Sequence, residues 1–250
     1  MTEAATPYSR LAGVYDELVV DPCYSQWALF LDRTWSGDDV RSVLDVCCGT
    51  GLMTEELVRR GMRVVGIDAS PEMLDRARGL LGDGVELHEV VLPDLPADGP
   101  LAGPFDAAIS TLDGLNYLTL AELRESVTRI AERLRPGGWF VFDVHAEPAF
   151  EFMRDNAALA GEDHGTTFTL TTTVDVPTRA CTTTIVLTAP DPAESFTETH
   201  VQYVHSTEQI ASALHAAGLE VVAVTDEYTD EPLTDGSLRA TWVARRGPST

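Results

Sequence analysis

A doubly wound α/β fold is predicted by three features of the 250-residue sequence. From Ser42 onward, short and nearly continuous apolar runs alternate with amphipathic helical segments, the pattern of parallel strands buried on both faces. The first run ends in a Gly-rich turn that opens a helix. The last third changes texture to Thr-, Val- and aromatic-rich alternation, which predicts antiparallel strands. These features divide one domain into a helical cap (1–40), a central core (41–147), a lid insertion (148–205) and a closing helix with strands (206–250).

Leu11, Val14, Tyr15 and Leu18, then Trp27, Phe30 and Leu31, stand at helical spacing on either side of Asp21-Pro22. They predict two helices ahead of the first strand, with Trp27, Phe30 and Leu31 as core. Parallel strands are expected at 43–46, 64–67, 85–91, 107–110 and 139–144. TEELVRRG and SPEMLDRARGLL supply crossover helices, the second with Ser70 as N-cap, Pro71 at its first position and Glu72 in its first turn. A helix over 121–135 is stopped by Pro136-Gly137-Gly138. TTFTLTTTVDV, ACTTTIVLTA and SFTETHVQYVHS predict antiparallel strands inserted late in the sheet as a lid. After a helix over 206–217, LEVVAVTDEY and LRATWVARR predict an antiparallel hairpin closing a mostly parallel, seven-stranded sheet.

Composition narrows the chemistry. The formal charge of −23 repels a phosphate backbone, so nucleic acid is not expected as a partner. All 17 basic residues are arginine, which removes Schiff-base lysines and the phosphate-binding lysine of a P-loop. Cys23, Cys47, Cys48 and Cys181 lack zinc-ligand spacing, so reduced thiols and no metal are expected. No apolar run reaches the ~18 residues of a membrane span, and the start lacks the features of a signal peptide. The expected location is cytoplasmic.

In open α/β sheets, ligands bind beyond the carboxyl ends of the strands. There the first strand runs Asp45-Val46-Cys47-Cys48-Gly49-Thr50-Gly51, where small residues let backbone N–H groups approach a ligand. Asp68 ends the second strand, 21 positions after Cys47, close to the ~20-residue offset of an acid that accepts ribose hydroxyls. His145 follows the fifth strand and is a candidate base, the alternative being a histidine packed against the cap. Asn116 and Tyr117, beyond the fourth strand, orient substrate or, for Tyr117, pack the next helix. His88, His164, His200, His205 and His215 show no ligand spacing and are read as structural or exposed.

The blocks VLDVCCGTGLMT, VVGIDASPEML, FDAAIS and LRPGGWFVFDV, within about residues 8–145, resemble in order and spacing the motifs of class I S-adenosylmethionine-dependent methyltransferases. The resemblance implies a Rossmann-like fold and S-adenosylmethionine as cofactor. It puts Gly49 and Gly51 at the methionine part, with Asp45 and Cys47 in the same turn. Asp68 would face the ribose, and Ala69 and Met73 the adenine. Cys47 stands where the family has the first glycine of GxGxG. Val91 stands where an Asp reads the adenine amino group, which leaves that edge to Leu92 and backbone atoms.

YSRLAGVYDELVVDPCYSQWALFL is similar to the cap of members that methylate small molecules, including amino-sugar and lincosamide N-methyltransferases. That likeness implies Tyr8 and Tyr15 at the site, with TETHVQYVHS in the lid. The implied reaction is methyl transfer to an amine nitrogen of a small specialised metabolite. O-methylation of a hydroxyl or carboxylate, with His145 as base, is the alternative, and a non-catalytic nucleoside-binding protein is the third reading. A monomer or homodimer is expected.

Overall fold

The computed structural model describes residues 7–18, 23–163 and 165–248. Asp21-Pro22 and His164 lie outside these residues. The chain begins with a short helix α1 (Tyr15–Leu18) and α2 (Tyr24–Thr34). It then runs β1 (Ser42–Val46), α3 (Leu52–Arg59), β2 (Arg63–Asp68), α4 (Pro71–Leu81), β3 (Glu86–Glu89), β4 (Phe105–Ser110), α5 (Leu120–Arg133) and β5 (Leu134–His145). After these come α6 (Glu147–Asp155), β6 (Ala158–Asp163), β7 (Thr166–Asp175), β8 (Ala180–Thr188), β9 (Phe196–Tyr203), α7 (Thr207–Ala216), β10 (Leu219–Asp226) and β11 (Arg239–Arg246).

The seven-stranded sheet has the order β10-β11-β5-β4-β1-β2-β3. β1 pairs in parallel with both β2 and β4, so the strand order reverses beside it. β11 lies antiparallel between β5 and β10, the closing hairpin that its sequence predicts. Strand side chains alternate between faces, and each face meets its own helices. Val43 packs with Trp27, Phe30 and Leu31 of α2 and Met53 and Leu57 of α3, whereas Leu44 and Val46 pack with Leu123, Val127 and Ile130 of α5 and Ile210 and Leu214 of α7. That two-sided burial is why the parallel strands read as unbroken apolar runs.

Helix starts follow local chemistry. Ser70 Oγ accepts the Met73 N–H with Pro71 behind it, while Thr119 with Glu122 and Ser206 with Gln209 form capping boxes. α5 ends at Arg133, two residues before the expected stop, because Leu134 already pairs with Phe105 in the sheet. β3 is shorter than its apolar run, since Val90 and Val91 leave the ladder to border the site.

The Thr-rich segments do not insert into the main sheet. They form a separate antiparallel sheet, β6-β7-β8-β9, to which α6 and β6 contribute elements absent from the sequence reading. This sheet docks on the carboxyl edge of the first through β9. Buried Asn116 joins the two: its Nδ2 donates to the Tyr203 carbonyl (2.6 Å) and its Oδ1 accepts the His145 N–H (2.9 Å). Asn116 is therefore a structural tie and does not face substrate as its position in the sequence suggested. Asn116→Ala leaves both backbone groups without this partner. It should cost about 3 kcal/mol of stability in urea unfolding, against less than ~0.5 kcal/mol for the exposed Glu125→Ala.

Candidate active site

Beyond the carboxyl ends of β1, β2 and β4, the chain encloses a cavity of about 340 Å³. Its floor is the turn after β1. Cys47 (φ 57°), Gly49 (φ 55°) and Gly51 (φ 85°) all adopt the left-handed conformation, which lets the chain reverse into α3. A Cβ on Gly51 would sit 3.1 Å from Ala77 Cβ and 3.4 Å from its Cα, so the glycine lets α4 approach the turn closely. A Cβ on Gly114 would stand 2.6 Å from Cys47 Cβ and 3.2 Å from its Sγ, so Gly114 makes the room that the Cys47 side chain occupies.

Asp68 lies across from this turn. It accepts the N–H groups of Gly49 (2.9 Å) and Ser70 (2.8 Å). Burial pushes its carboxyl up, against the opposing pull of these hydrogen bonds. Asp45 is fully buried beneath the turn and does not border the cavity. Thr54 Oγ1 donates to its Oδ2, and its Oδ1 has no partner among the described residues. Burial raises the Asp45 carboxyl to about 7.

Of the sequence-predicted residues, Tyr8, Tyr15, Cys47, Gly49, Asp68, Ala69, Met73, Leu92 and Tyr117 border the cavity; Asp45, Gly51 and His145 do not. The position of His145 corrects the expectation that it borders the reacting groups. It stands on a second cavity of about 80 Å³ with His205 and Trp242, its Nδ1 3.6 Å from Asp113 Oδ1 and its Nε2 3.3 Å from Gln202 Oε1. Asp113 is held by a two-pronged Arg239 (3.2 Å to each oxygen). Burial would raise the Asp113 carboxyl, but His145 and Arg239 outweigh it and hold it down. The neighbouring Asp143 accepts the N–H groups of Leu112 (3.1 Å) and Asp113 (2.7 Å), which supports the left-handed backbone at both residues. Burial, with Asp113 close by, raises the Asp143 carboxyl to about 7.

On the cap side, Tyr8 and Tyr117 share a hydrogen bond between hydroxyls (2.7 Å). Tyr117 continues to His200 Nδ1 (2.7 Å), and His200 Nε2 to Glu198 (3.3 Å). His200 and Glu198 are both buried, so the structural-or-exposed reading of His200 misses its link to a cavity-wall hydroxyl. A signal was present: in β9, Glu198 and His200 are polar residues at alternate positions, hence on one face of the strand.

A doubly wound sheet that directs a glycine turn and an acidic strand end into one cavity is the arrangement that receives a nucleoside cofactor. Residues 43–138 match the methyltransferase domain family. The cypemycin N-terminal methyltransferase of a Streptomyces species is 31% identical over 220 residues, covering 83% of this chain and 84% of that one. The chain thus belongs to the S-adenosylmethionine-dependent methyltransferases. The dTDP-3-amino-3,4,6-trideoxy-alpha-D-glucopyranose N,N-dimethyltransferase of Streptomyces venezuelae is 29% identical over 196 residues, 73% of this chain and 77% of that one. In fold, the crystal structure of a methyltransferase of this cofactor class from Clostridium acetobutylicum superposes with a TM-score of 0.82 at 21% identity, over 97% of this chain and 100% of that one.

The residues present fit S-adenosylmethionine. Gly49 leaves open space above its backbone, Asp68 offers a carboxylate beside the turn, and Met73, Val91 and Leu92 give apolar walls.

Two consequences can be measured. Gly114→Ala should cost ~1–3 kcal/mol by overpacking Cys47. Adding Cys47→Gly should recover most of that loss, read as a coupling energy in a double-mutant cycle. For Asp45, a folded carboxyl at about 7 lies above its unfolded value, so its stabilising contribution is present below ~pH 4 and lost as pH rises through about 7. Asp45→Asn should therefore gain in melting temperature relative to the parent between about pH 5 and about pH 8.

Proposed function

We propose that this methyltransferase acts on an amine nitrogen of a small specialised metabolite, and that the acceptor brings no phosphate or carboxylate charge into the cavity. The observation that supports this is the charge of the wall. Among the described lining residues there are four tyrosines and the carboxylates of Asp68 and Glu122, and no arginine, lysine or histidine. All 17 arginines occupy described positions and none borders the cavity, while the chain has no lysine. An anionic acceptor would lose its hydration there without gaining a cationic partner, whereas a neutral or cationic amine meets phenols and acids. The names of the two relatives, an N-terminal and an N,N-dimethyl transferase, support nitrogen as the acceptor atom.

The cofactor supplies a methyl group on a cationic sulfur. Asp68 would accept the ribose hydroxyls, the Gly49-Thr50 turn would hold the methionine end, and Ala69, Met73 and Leu92 would enclose the adenine. Tyr8, Tyr15 and Tyr117 would orient the acceptor nitrogen and keep water away. Such alignment can supply ~7–11 kcal/mol of barrier reduction without a group that attacks covalently. His145, away from this wall, has no part in it.

Isothermal titration should show S-adenosylhomocysteine binding and no NAD binding, with Asp68→Ala weakening the former by about 10–100-fold. Methyl uptake is then compared for methyl 3-amino-3-deoxyglucopyranoside, 2-phenylethylamine, benzoate and a nucleoside-diphosphate 3-amino sugar. Both free amines should be methylated and benzoate should not. The diphosphate acceptor should show kcat/KM at least ~10-fold below the free glycoside. Turnover of benzoate, or preference for the diphosphate, would refute the charge argument.

A further inference from the structure

Glu198 and His200 are not explained by cofactor binding. Both are buried, both belong to the second sheet, and among the described residues both connect to the cavity through Tyr117 and Tyr8. We infer that this Tyr8–Tyr117–His200–Glu198 chain takes the proton from the acceptor ammonium, with His200 as its end point. The inference rests on the amine reading above.

The hydrogen-bond directions follow from Glu198. Its carboxylate accepts the backbone N–H groups of Tyr8 (3.0 Å), Arg10 (2.5 Å) and Leu11 (3.0 Å), together with Ser9 Oγ–H (3.3 Å). Burial would raise the Glu198 carboxyl, but His200 and these backbone donors outweigh it and hold it down, so it is ionised and can only accept. His200 Nε2 then carries a hydrogen toward Glu198, and in the neutral ring, which has one hydrogen to give, Nδ1 is the acceptor for Tyr117 O–H. Tyr117 oxygen in turn accepts Tyr8 O–H, so the Tyr8 oxygen keeps a lone pair for an N–H donor in the cavity. Burial pushes both phenols up, so they pass protons without resting as phenolates. The charged and titratable groups facing His200 are Tyr8 from the cap, with its ring 4.9 Å away, Tyr117 from the turn after β4, and Glu198 from its own strand.

The balance closes. The ammonium gives one proton to Tyr8 oxygen as Tyr8 passes its own to Tyr117 and Tyr117 passes its own to His200 Nδ1. The resulting imidazolium lies against the Glu198 carboxylate, so the buried pair becomes neutral overall. The free amine then attacks the methyl carbon, forming N–C as C–S breaks, and the bonding pair stays on sulfur. The proton on His200 goes to solvent as the products leave. His200 touches no reacting atom and is a positioning residue acting through Tyr117.

The first test needs no acceptor. Long-range ¹H–¹⁵N NMR of the S-adenosylhomocysteine-bound protein, assigned by loss of the signal in His200→Asn, should show His200 protonated at Nε2 and unprotonated at Nδ1. A hydrogen fixed on Nδ1 would overturn the inference. The second uses 2-phenylethylamine. His200→Asn retains an oxygen that can accept from Tyr117 but cannot take a proton; it should lower kcat by about 10²-fold or more while binding S-adenosylhomocysteine as the parent does. The acidic limb of its kcat/KM profile should reduce to the titration of the amine itself. Tyr117→Phe should match this loss, and the double variant should lose no more, as expected of one chain. Parental kcat and pH profile in a His200→Asn protein that binds S-adenosylhomocysteine would overturn the inference. If the parent methylates no amine, the acceptor reading fails, and the NMR result still decides the direction of the chain.

Discussion

Two backbone N–H groups converge on the carboxylate of Asp68, one from the turn after β1 and one from the start of α4. This carboxylate ties the carboxyl ends of β1 and β2, next to the point between β1 and β4 where the strand order reverses. The turn can reach it because Cys47, Gly49 and Gly51 reverse the chain through left-handed backbone, and α4 can pack close because Gly51 has no side chain. The cavity exists because both conditions hold. The helices that flank it could form on other turns, but their N-termini would not then face a common space.

The strand-helix alternation was legible because parallel strands buried on both faces carry uninterrupted apolar runs, and the helix starts because capping is local. The glycine turn and Asp68 were legible for the same reason, since each sits at a fixed offset from a strand end, whereas the two cap tyrosines came from the resemblance of the cap to that of small-molecule methyltransferases. What local pattern could not convey was pairing between distant segments. The Thr-rich strands alternate as any antiparallel strand does, and nothing within them specifies that they pair with one another and not with β10. The same limit separates His145 from His200. His145 ends a core strand, yet its side chain turns to Asp113 and Gln202; His200 lies 83 residues from Tyr117 and meets it because Asn116 and β9 dock the sheets.

The cap and the second sheet are joined by similar means. Glu198 gathers the backbone N–H groups of Tyr8, Arg10 and Leu11 and the Ser9 hydroxyl, while Thr50 Oγ1 donates to Asp16 (2.7 Å) and Arg76 to the Gly13 carbonyl (2.5 Å). Tyr8 adopts a left-handed φ of 66°, which costs about 1–3 kcal/mol for a residue of its size and persists where neighbours over-determine it. Its N–H on Glu198, its hydroxyl on Tyr117 and its ring against Tyr15 and His200 provide that determination. The cap is thus an element whose geometry is set from the second sheet, so the cavity wall is complete only when both are in place.

Charge placement at the carboxyl edge follows one pattern. The carboxylates of Asp68 and Glu198 are each stabilised by backbone N–H groups, and that of Asp113 by Arg239. Backbone donors stabilise a carboxylate through partial charges and do not cancel its formal charge, so the field they leave in the cavity remains negative. Arg239 is directed to Asp113, beneath the wall and not on it. A protein that placed arginines on that wall would bind anions and compete with a cofactor carrying positive charge on sulfur. Under the proposed amine reading, excluding them would let one electrostatic feature favour the cofactor and a cationic acceptor together, while the buried histidine behind the tyrosines would provide a separate route for the one proton an ammonium must lose before its nitrogen can react.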